Sequence, residues 1–104
     1  MEHNKHYFYF HIREYTPEAK RAVRKINQLA SNHKKSFCLS FDETCPEKIL
    51  VQSCKGRLKK TSFLLVERTP KIEKQVSAFN QLLSKAQNVL AVGLKDEICI
   101  TVVE

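Results

Sequence analysis

The feature that most constrains the fold of this chain is a stretch of sequence that occurs twice. Residues 16–31 read TPEAKRAVRKINQLAS, and residues 69–84 read TPKIEKQVSAFNQLLS. At a fixed offset of 53 positions, seven of the sixteen residues are identical, whereas average residue frequencies would give about one. Two copies with so long a period predict a duplicated module rather than an array of solenoid repeats.

Both copies predict an amphipathic helix with strands around it. Each begins with a Thr-Pro pair, which is typical of a helix N-cap and the first helical residue. Apolar residues then recur at helical spacing over 17–33 and 70–87. Alternating runs predict six strands, at 7–14, 36–42, 48–54, 61–68, 89–95 and 97–103.

The order of these elements predicts an α+β protein. One domain spans 1–104, with a β-α-β-β unit repeated at 7–54 and 61–103. Because a helix that connects two strands of one sheet makes them parallel, we expect a mixed sheet with both helices on one face, a two-layer sandwich. The offset of 53 leaves Ala91 and Gly93 on the uncovered face. It aligns the apolar positions Phe37, Leu39 and Phe41 with Leu90, Val92 and Leu94.

The first predicted strand carries unusual residues on its uncovered face. It reads HYFYFHIR over 6–13, and alternation directs Phe8, Phe10 and Ile12 to the core. The uncovered face then receives Tyr7, Tyr9, His11 and Arg13. A solvated strand face usually carries charged and polar residues at these positions, so a half-apolar one predicts contact with a partner. Stacked bases and a subunit interface are both consistent with it.

The chain is strongly basic, with 18 basic and 11 acidic residues and a formal charge of +7. Such an excess attracts polyanions, which include nucleic acid, an anionic membrane and an acidic protein. The densest basic cluster, KGRLKK at 55–60, suits either phosphate contacts or a solvated loop. The predicted residues for binding nucleic acid or a partner are Tyr7, Tyr9, His11, Arg13, Arg21, Arg24, Lys25, Lys55, Arg57, Lys59 and Lys60.

Catalysis, metal binding and cofactor binding are not predicted. The cysteines at 38, 45, 54 and 99 contain no close pair of the kind that binds zinc, and we expect packed, reduced thiols. His11 with Cys38 or Cys99 offers a base and a nucleophile, but no catalytic motif surrounds them. With neither an apolar leader nor a membrane-length run, the sequence predicts a cytoplasmic protein.

Two families resemble this chain in the order of its elements. A duplicated β-α-β-β chain of this length resembles the tautomerase superfamily that includes macrophage migration inhibitory factor, which implies a homo-oligomer. Those enzymes use an N-terminal proline, and position 2 here is Glu2, so the resemblance does not extend to tautomerase activity. Residues 1–88 are similar in order to small ribosome hibernation factors, with TPEAKRAVRKI where their first helix begins, which implies an RNA-rich target.

The sequence therefore predicts a small, non-enzymatic binding or regulatory protein that acts on a polyanion. Nucleic acid or a nucleic-acid-associated protein complex is the expected target, rather than a membrane. The alternative is a homo-oligomeric module with a tautomerase-like fold, which uses its bare sheet face as the subunit interface.

Overall fold

The order of helices and strands follows the sequence prediction. A computed structural model describes residues 4–31, 37–53 and 61–104. The elements are β1 (Lys5–His11), α1 (Pro17–Ala30), β2 (Phe37–Phe41), β3 (Lys48–Ser53), β4 (Thr61–Leu64), α2 (Pro70–Leu83), β5 (Asn88–Leu94) and β6 (Glu97–Val103). The α+β class is confirmed. The predicted roles of Cys54, Lys55, Arg57, Lys59 and Lys60 lie outside the described residues.

Both helices begin where their Thr-Pro pairs predict. The Thr16 hydroxyl accepts a hydrogen bond from the Ala19 N–H at 3.1 Å, and the Thr69 hydroxyl accepts one from the Ile72 N–H at 3.2 Å. Each bond satisfies an N–H group that has no partner within its helix. The two helices therefore share one mechanism of initiation, although they end three and four residues earlier than predicted.

The strands form two antiparallel sheets instead of the predicted mixed sheet. One sheet has the order β1-β6-β5, and the other has the order β2-β3-β4. The expectation of parallel strands assumed that β1 and β2 belong to the same sheet. They do not, because each half of the chain gives its first strand to the other half, so that β1 pairs with β6 and β4 pairs with β3.

The two sheets meet at the tips of β1 and β4. Ile12 faces Leu65 in an isolated antiparallel bridge. Beside it, the Arg13 N–H donates to the Leu64 carbonyl at 3.2 Å, and the Val66 N–H donates to the His11 carbonyl at 3.0 Å. This short junction places the end of β1 against the segment that leads into α2.

The asparagines of the two NQL tripeptides fasten each helix to a strand edge. Asn27 accepts from the Ala91 N–H at 2.7 Å and donates to the Ala91 carbonyl at 2.9 Å. Asn80 makes the same pair of bonds with Leu39, at 2.9 and 2.8 Å. Because α1 also contacts β4 and α2 also contacts β1, each helix touches both sheets. The sequence predicted that both helices cover one face of a common sheet, and this prediction is wrong because each helix lies against two separate sheets.

The direction of the side chains on β5 is opposite to the prediction. Ala91 is buried in the core, whereas Leu90, Val92 and Leu94 are exposed. Asn27 binds Ala91 as Asn80 binds Leu39, and these two strand residues are 52 rather than 53 positions apart, so β5 is shifted by one residue and its other alternating set faces inwards. The ring of Tyr15 lies where a Cβ on Gly93 would stand. A side chain at position 93 would displace the Tyr15 ring, so this close approach favours glycine there.

Candidate binding surface on the first sheet

The outer face of the β1-β6-β5 sheet is a continuous, largely apolar surface. Register places Tyr7, Thr101 and Leu90 in one row across the strands, and Tyr9, Cys99 and Val92 in the next. A third row contains His11, Glu97 and Leu94. We call these three rows the aromatic face. Its β5 residues were missed from the sequence because both alternating sets of that strand are apolar or small, so alternation could not decide between them.

The two tyrosines of the aromatic face project from β1 and are half exposed. Tyr7 has 54% of its surface accessible and Tyr9 has 50%. The pKa of the Tyr9 phenol is raised above its ordinary value, first because the Cys99 thiolate would place a like charge beside it, and then by desolvation and by Glu97. Tyr9 therefore keeps its proton at neutral pH and offers a ring with an O–H donor.

A cleft of about 730 Å³ opens between β1 and the start of α2. We call it the β1–α2 cleft. Its walls combine the three aromatic residues of β1 with apolar, polar and charged side chains: Tyr7, Tyr9, His11, Ile12, Val66, Glu67, Thr69, Lys71, Ile72, Gln75 and Asp96. This lining includes the carboxylates of Glu67 and Asp96 but only one ammonium group, that of Lys71. The cleft is therefore locally acidic within a basic protein.

Gln75 spans the β1–α2 cleft and was not predicted from the sequence. The Tyr9 N–H donates to its Oε1 at 3.1 Å, and its Nε2 donates to the Tyr9 carbonyl at 3.4 Å. The side-chain amide thus contacts the β1 backbone as a neighbouring strand would. A single glutamine on a helix carries no sequence signal for this role.

Arg13 lies in a second, smaller cleft of about 260 Å³. Its described lining also includes Glu14, Glu18 and Ser62. The Ser62 hydroxyl donates to Glu18 Oε1 at 2.8 Å, and Ser62 is only 6% exposed. The structure therefore brings Tyr7, Tyr9 and His11 together but places Arg13 elsewhere.

The predicted basic residues of α1 also lie apart from the β1–α2 cleft. Arg21 and Arg24 are exposed and Lys25 is partly buried, on a helix that contacts β4 and β5. Among the described residues that line the cleft, none belongs to α1. If these cations contact a ligand, they do so from another side of the molecule.

Within the part of the chain that the structure describes, the cysteine and histidine side chains are dispersed over the two sheets and the turn that contains Cys45. Cys38 is in β2 and His11 is in β1, so they belong to different sheets, and Cys99 faces Tyr9. Cys45 and Cys99 are free thiols. Over 4–31, 37–53 and 61–104, the structure contains no group of three or more histidine, cysteine, aspartate or glutamate residues that could hold a metal ion.

The fold and this surface define a small α+β protein with an exposed aromatic sheet face and a cleft beside it. Comparison with protein-family models, with curated proteins and with solved structures found no match. Within the described residues, neither helix is long and apolar enough to cross a membrane.

Proposed function

We propose that this chain is a small, non-enzymatic binding or regulatory protein whose target is a polyanion, either nucleic acid or a nucleic-acid-associated protein complex. The observation that carries this proposal is the pair Tyr7 and Tyr9, which are half exposed on an open sheet face. Aromatic rings on such a face stack single-stranded bases. The free thiols Cys45 and Cys99 suit the reducing cytoplasm, which we propose as its location.

The spacing of the two rings supports stacking of two bases. Tyr7 and Tyr9 lie on the same side of β1, so their Cα atoms are about 7 Å apart. The carboxylates Glu67 and Asp96 line the adjacent cleft and repel phosphate. Bases rather than phosphates are therefore expected against the tyrosines, while the net charge of +7 supplies the long-range attraction.

A binding titration with a labelled single-stranded oligonucleotide tests this proposal. At low salt, the unmodified chain should bind both oligo-uridine and the corresponding DNA. Each stacked base contributes about 1–3 kcal/mol, so the double variant Tyr7→Ala/Tyr9→Ala should bind at least about tenfold more weakly. The matched control Tyr7→Phe/Tyr9→Phe retains the rings and should bind normally.

Two results would overturn the stacking proposal. One is the absence of binding to single-stranded RNA and DNA at low salt. The other is equal binding by the alanine and phenylalanine variants, with circular dichroism showing that both are folded. A pull-down from lysate with and without nuclease treatment then distinguishes nucleic acid from a protein complex as the target.

Self-association is a second candidate function, and the exposed β5 residues favour it. Leu90, Val92 and Leu94 extend the tyrosine surface across the sheet and are 55%, 45% and 54% exposed. A three-stranded face of this length covers roughly 350 Å², whereas a stable dimer buries about 800 Å² per partner. A homo-oligomer therefore needs contacts beyond this face.

The oligomeric state decides this second candidate. Light scattering at micromolar concentration should report more than one chain per particle, and Val92→Asp should return it to a monomer. A monomer at all concentrations would exclude the interface. Oligonucleotide binding by a monomer would leave the first proposal intact.

We further propose that the two β-α-β-β halves arose by duplication and pack as layers around a shared core. Matching contacts support this proposal. Thr16 and Thr69 cap the two helices, and Asn27 and Asn80 bind opposite strands with the same two bonds. Ile12 and Leu65, also 53 positions apart, face each other where the halves meet.

A further inference from the structure

We infer that the β1–α2 cleft binds an extended segment of a partner protein, which adds as a strand to the open edge of β1 and places a basic side chain beside Glu67 and Asp96. This inference concerns the edge of β1, so it does not depend on base stacking at the aromatic face. It rests on three observations: the direction of the β1 backbone groups, the bonds of Gln75 and the charge of the cleft.

The backbone groups of alternate β1 residues point towards the cleft. β1 lies at an edge of its sheet, with β6 on one side. On the other side, Tyr9 bonds to Gln75, and the His11 carbonyl accepts from Val66. Because backbone direction alternates along a strand, the N–H and C=O groups of Tyr7 point the same way. An edge of this kind is a template for a further strand.

Gln75 holds this edge weakly. Its Nε2 bond to the Tyr9 carbonyl is 3.4 Å long and exposed, whereas Asn27 binds Ala91 through part-buried bonds of 2.7 and 2.9 Å. Ordering a glutamine side chain costs up to about 2 kcal/mol, which offsets most of the gain from exposed hydrogen bonds. A peptide backbone can therefore displace the Gln75 amide from Tyr9 at little cost.

The shape of the cleft selects an extended segment rather than a second folded copy. Ile72 and Gln75 place α2 along the opposite wall, and a sheet edge with neighbouring strands of its own does not fit between a strand and a helix. At the far end, Val66 occupies the His11 carbonyl. The accessible edge runs from Tyr7 to His11, about 14 Å between Cα atoms, which suits roughly five residues.

The charges of the cleft select a basic segment. Glu67 and Asp96 outnumber Lys71 among its charged groups, and the Tyr7 and Tyr9 rings offer faces for a cation. An arginine side chain can pair with a carboxylate and stack on a ring at the same time. At physiological ionic strength the net charge of +7 opposes this approach only weakly, because salt screens charges that lie farther away than about 8 Å.

Titration of the isotopically labelled full chain with a capped peptide tests the inference by NMR. The probe has about seven residues, alternates valine and threonine, and carries a central arginine. At concentrations up to about 1 mM, we expect shifts of the Tyr7 and Tyr9 backbone amides and of the Gln75 side-chain amide. Gln75→Ala should bind the probe two- to fivefold more tightly, whereas the control Gln28→Ala, an exposed glutamine of α1, should not.

Altered peptides and altered carboxylates separate strand addition from adhesion. Two peptides are compared, one N-methylated at its odd-numbered amides and the other at its even-numbered amides. Only one of them should lose binding, because only one edge of the peptide pairs with β1. Glutamate in place of the central arginine should weaken binding about tenfold, equivalent to 1.4 kcal/mol. Glu67→Gln/Asp96→Asn should remove that preference.

Several outcomes would overturn strand addition. They are equal binding of both N-methylated peptides, shifts confined to the β5 residues of the aromatic face, and no shift at about 1 mM even with Gln75→Ala. An arginine preference that persists without the two carboxylates contradicts the proposed partner chemistry. Peptide binding by a chain that does not bind oligonucleotide, or the reverse, would show that only one of the two proposals fails.

Discussion

The β1–α2 cleft and the smaller cleft beside Arg13 occupy matching positions in the two halves of the chain and differ in the side chains that line them. Tyr9, Lys71 and Gln75 line the cleft of about 730 Å³. The residues 53 positions away are Ser62, Glu18 and Ala22, and the cleft where Ser62 bonds to Glu18 has a volume of about 260 Å³. One scaffold thus carries a larger and a smaller cleft with different side chains. The difference indicates that side chains at a few positions, rather than the fold, create the candidate site.

The turns before the two helices differ in a complementary way. In one half, the Tyr15 ring packs over Gly93, and Lys20 lies 5.7 Å from the ring centre. In the other half, Arg68 stacks 4.0 Å from the ring centre of Phe41 and bonds to Glu73 at 2.9 Å. An aromatic ring therefore comes from the turn in one half and from the strand in the other.

The largest effect is expected where the halves are most alike. Asn27→Ala and Asn80→Ala each remove two hydrogen bonds from a helix side chain to the backbone N–H and C=O of an edge strand. Each should lower the free energy of unfolding by about 2–3 kcal/mol, measured by urea denaturation. Gln75→Ala is the matched control and should change it by less than about 0.5 kcal/mol. Asparagine variants that differ by more than about 1 kcal/mol would break the equivalence of the halves.

The next largest effect is expected at the contact between the Tyr15 ring and Gly93. Gly93→Ala places a methyl group in the Tyr15 ring and should destabilise the protein by about 1–3 kcal/mol through overpacking. Tyr15→Ala in the same chain removes the obstacle. A double-mutant cycle should therefore show strong coupling between the two sites. Additive effects would mean that the ring moves aside without strain.

A smaller effect on stability, but a decisive one on binding, is expected from converting one cleft into the other. Tyr9→Ser/Lys71→Glu gives the β1–α2 cleft the residues of its smaller counterpart. We expect oligonucleotide binding to fall at least about tenfold, because one stacking ring is lost and a carboxylate that repels phosphate is added, with unfolding free energy within about 1 kcal/mol of the original. The matched control is Lys85→Glu, which makes the same charge change at an exposed position after α2. Retained binding in the converted variant would show that the scaffold, and not these side chains, forms the site.

The sequence predicted those features that local chemistry controls. The Thr-Pro pairs determined where α1 and α2 begin, and alternation correctly exposed Tyr7 and Tyr9. The sequence did not predict which sheet each strand joins, because the strand that follows a helix can belong to a different sheet from the strand that precedes it. The inward direction of Ala91 depends on Asn27, 64 positions away. Gln75 likewise acquires its role only through tertiary contact with Tyr9.

The smallest expected effect concerns the two hairpin turns, of which the turn that contains Asp42 is the longer. In the longer turn, the Thr44 hydroxyl and N–H donate to Asp42 Oδ1 at 2.7 and 2.8 Å. These bonds favour the carboxylate and hold the pKa of Asp42 below its ordinary value, with a smaller contribution from Lys48. The short turn formed by Lys95 and Asp96 connects β5 to β6 directly.

A lowered pKa means that the folded state binds the Asp42 proton less tightly than the unfolded chain does. Its stabilisation is therefore complete above the ordinary pKa of aspartate and is lost as the pH falls through the lowered value. Asp42→Ala should reduce the unfolding midpoint at neutral pH and flatten its decline in acid. Parallel acid curves for Asp42→Ala and the unmodified chain would show that the Thr44 bonds do not stabilise the folded state. The longer turn would then be held by its backbone alone, as the shorter one is expected to be.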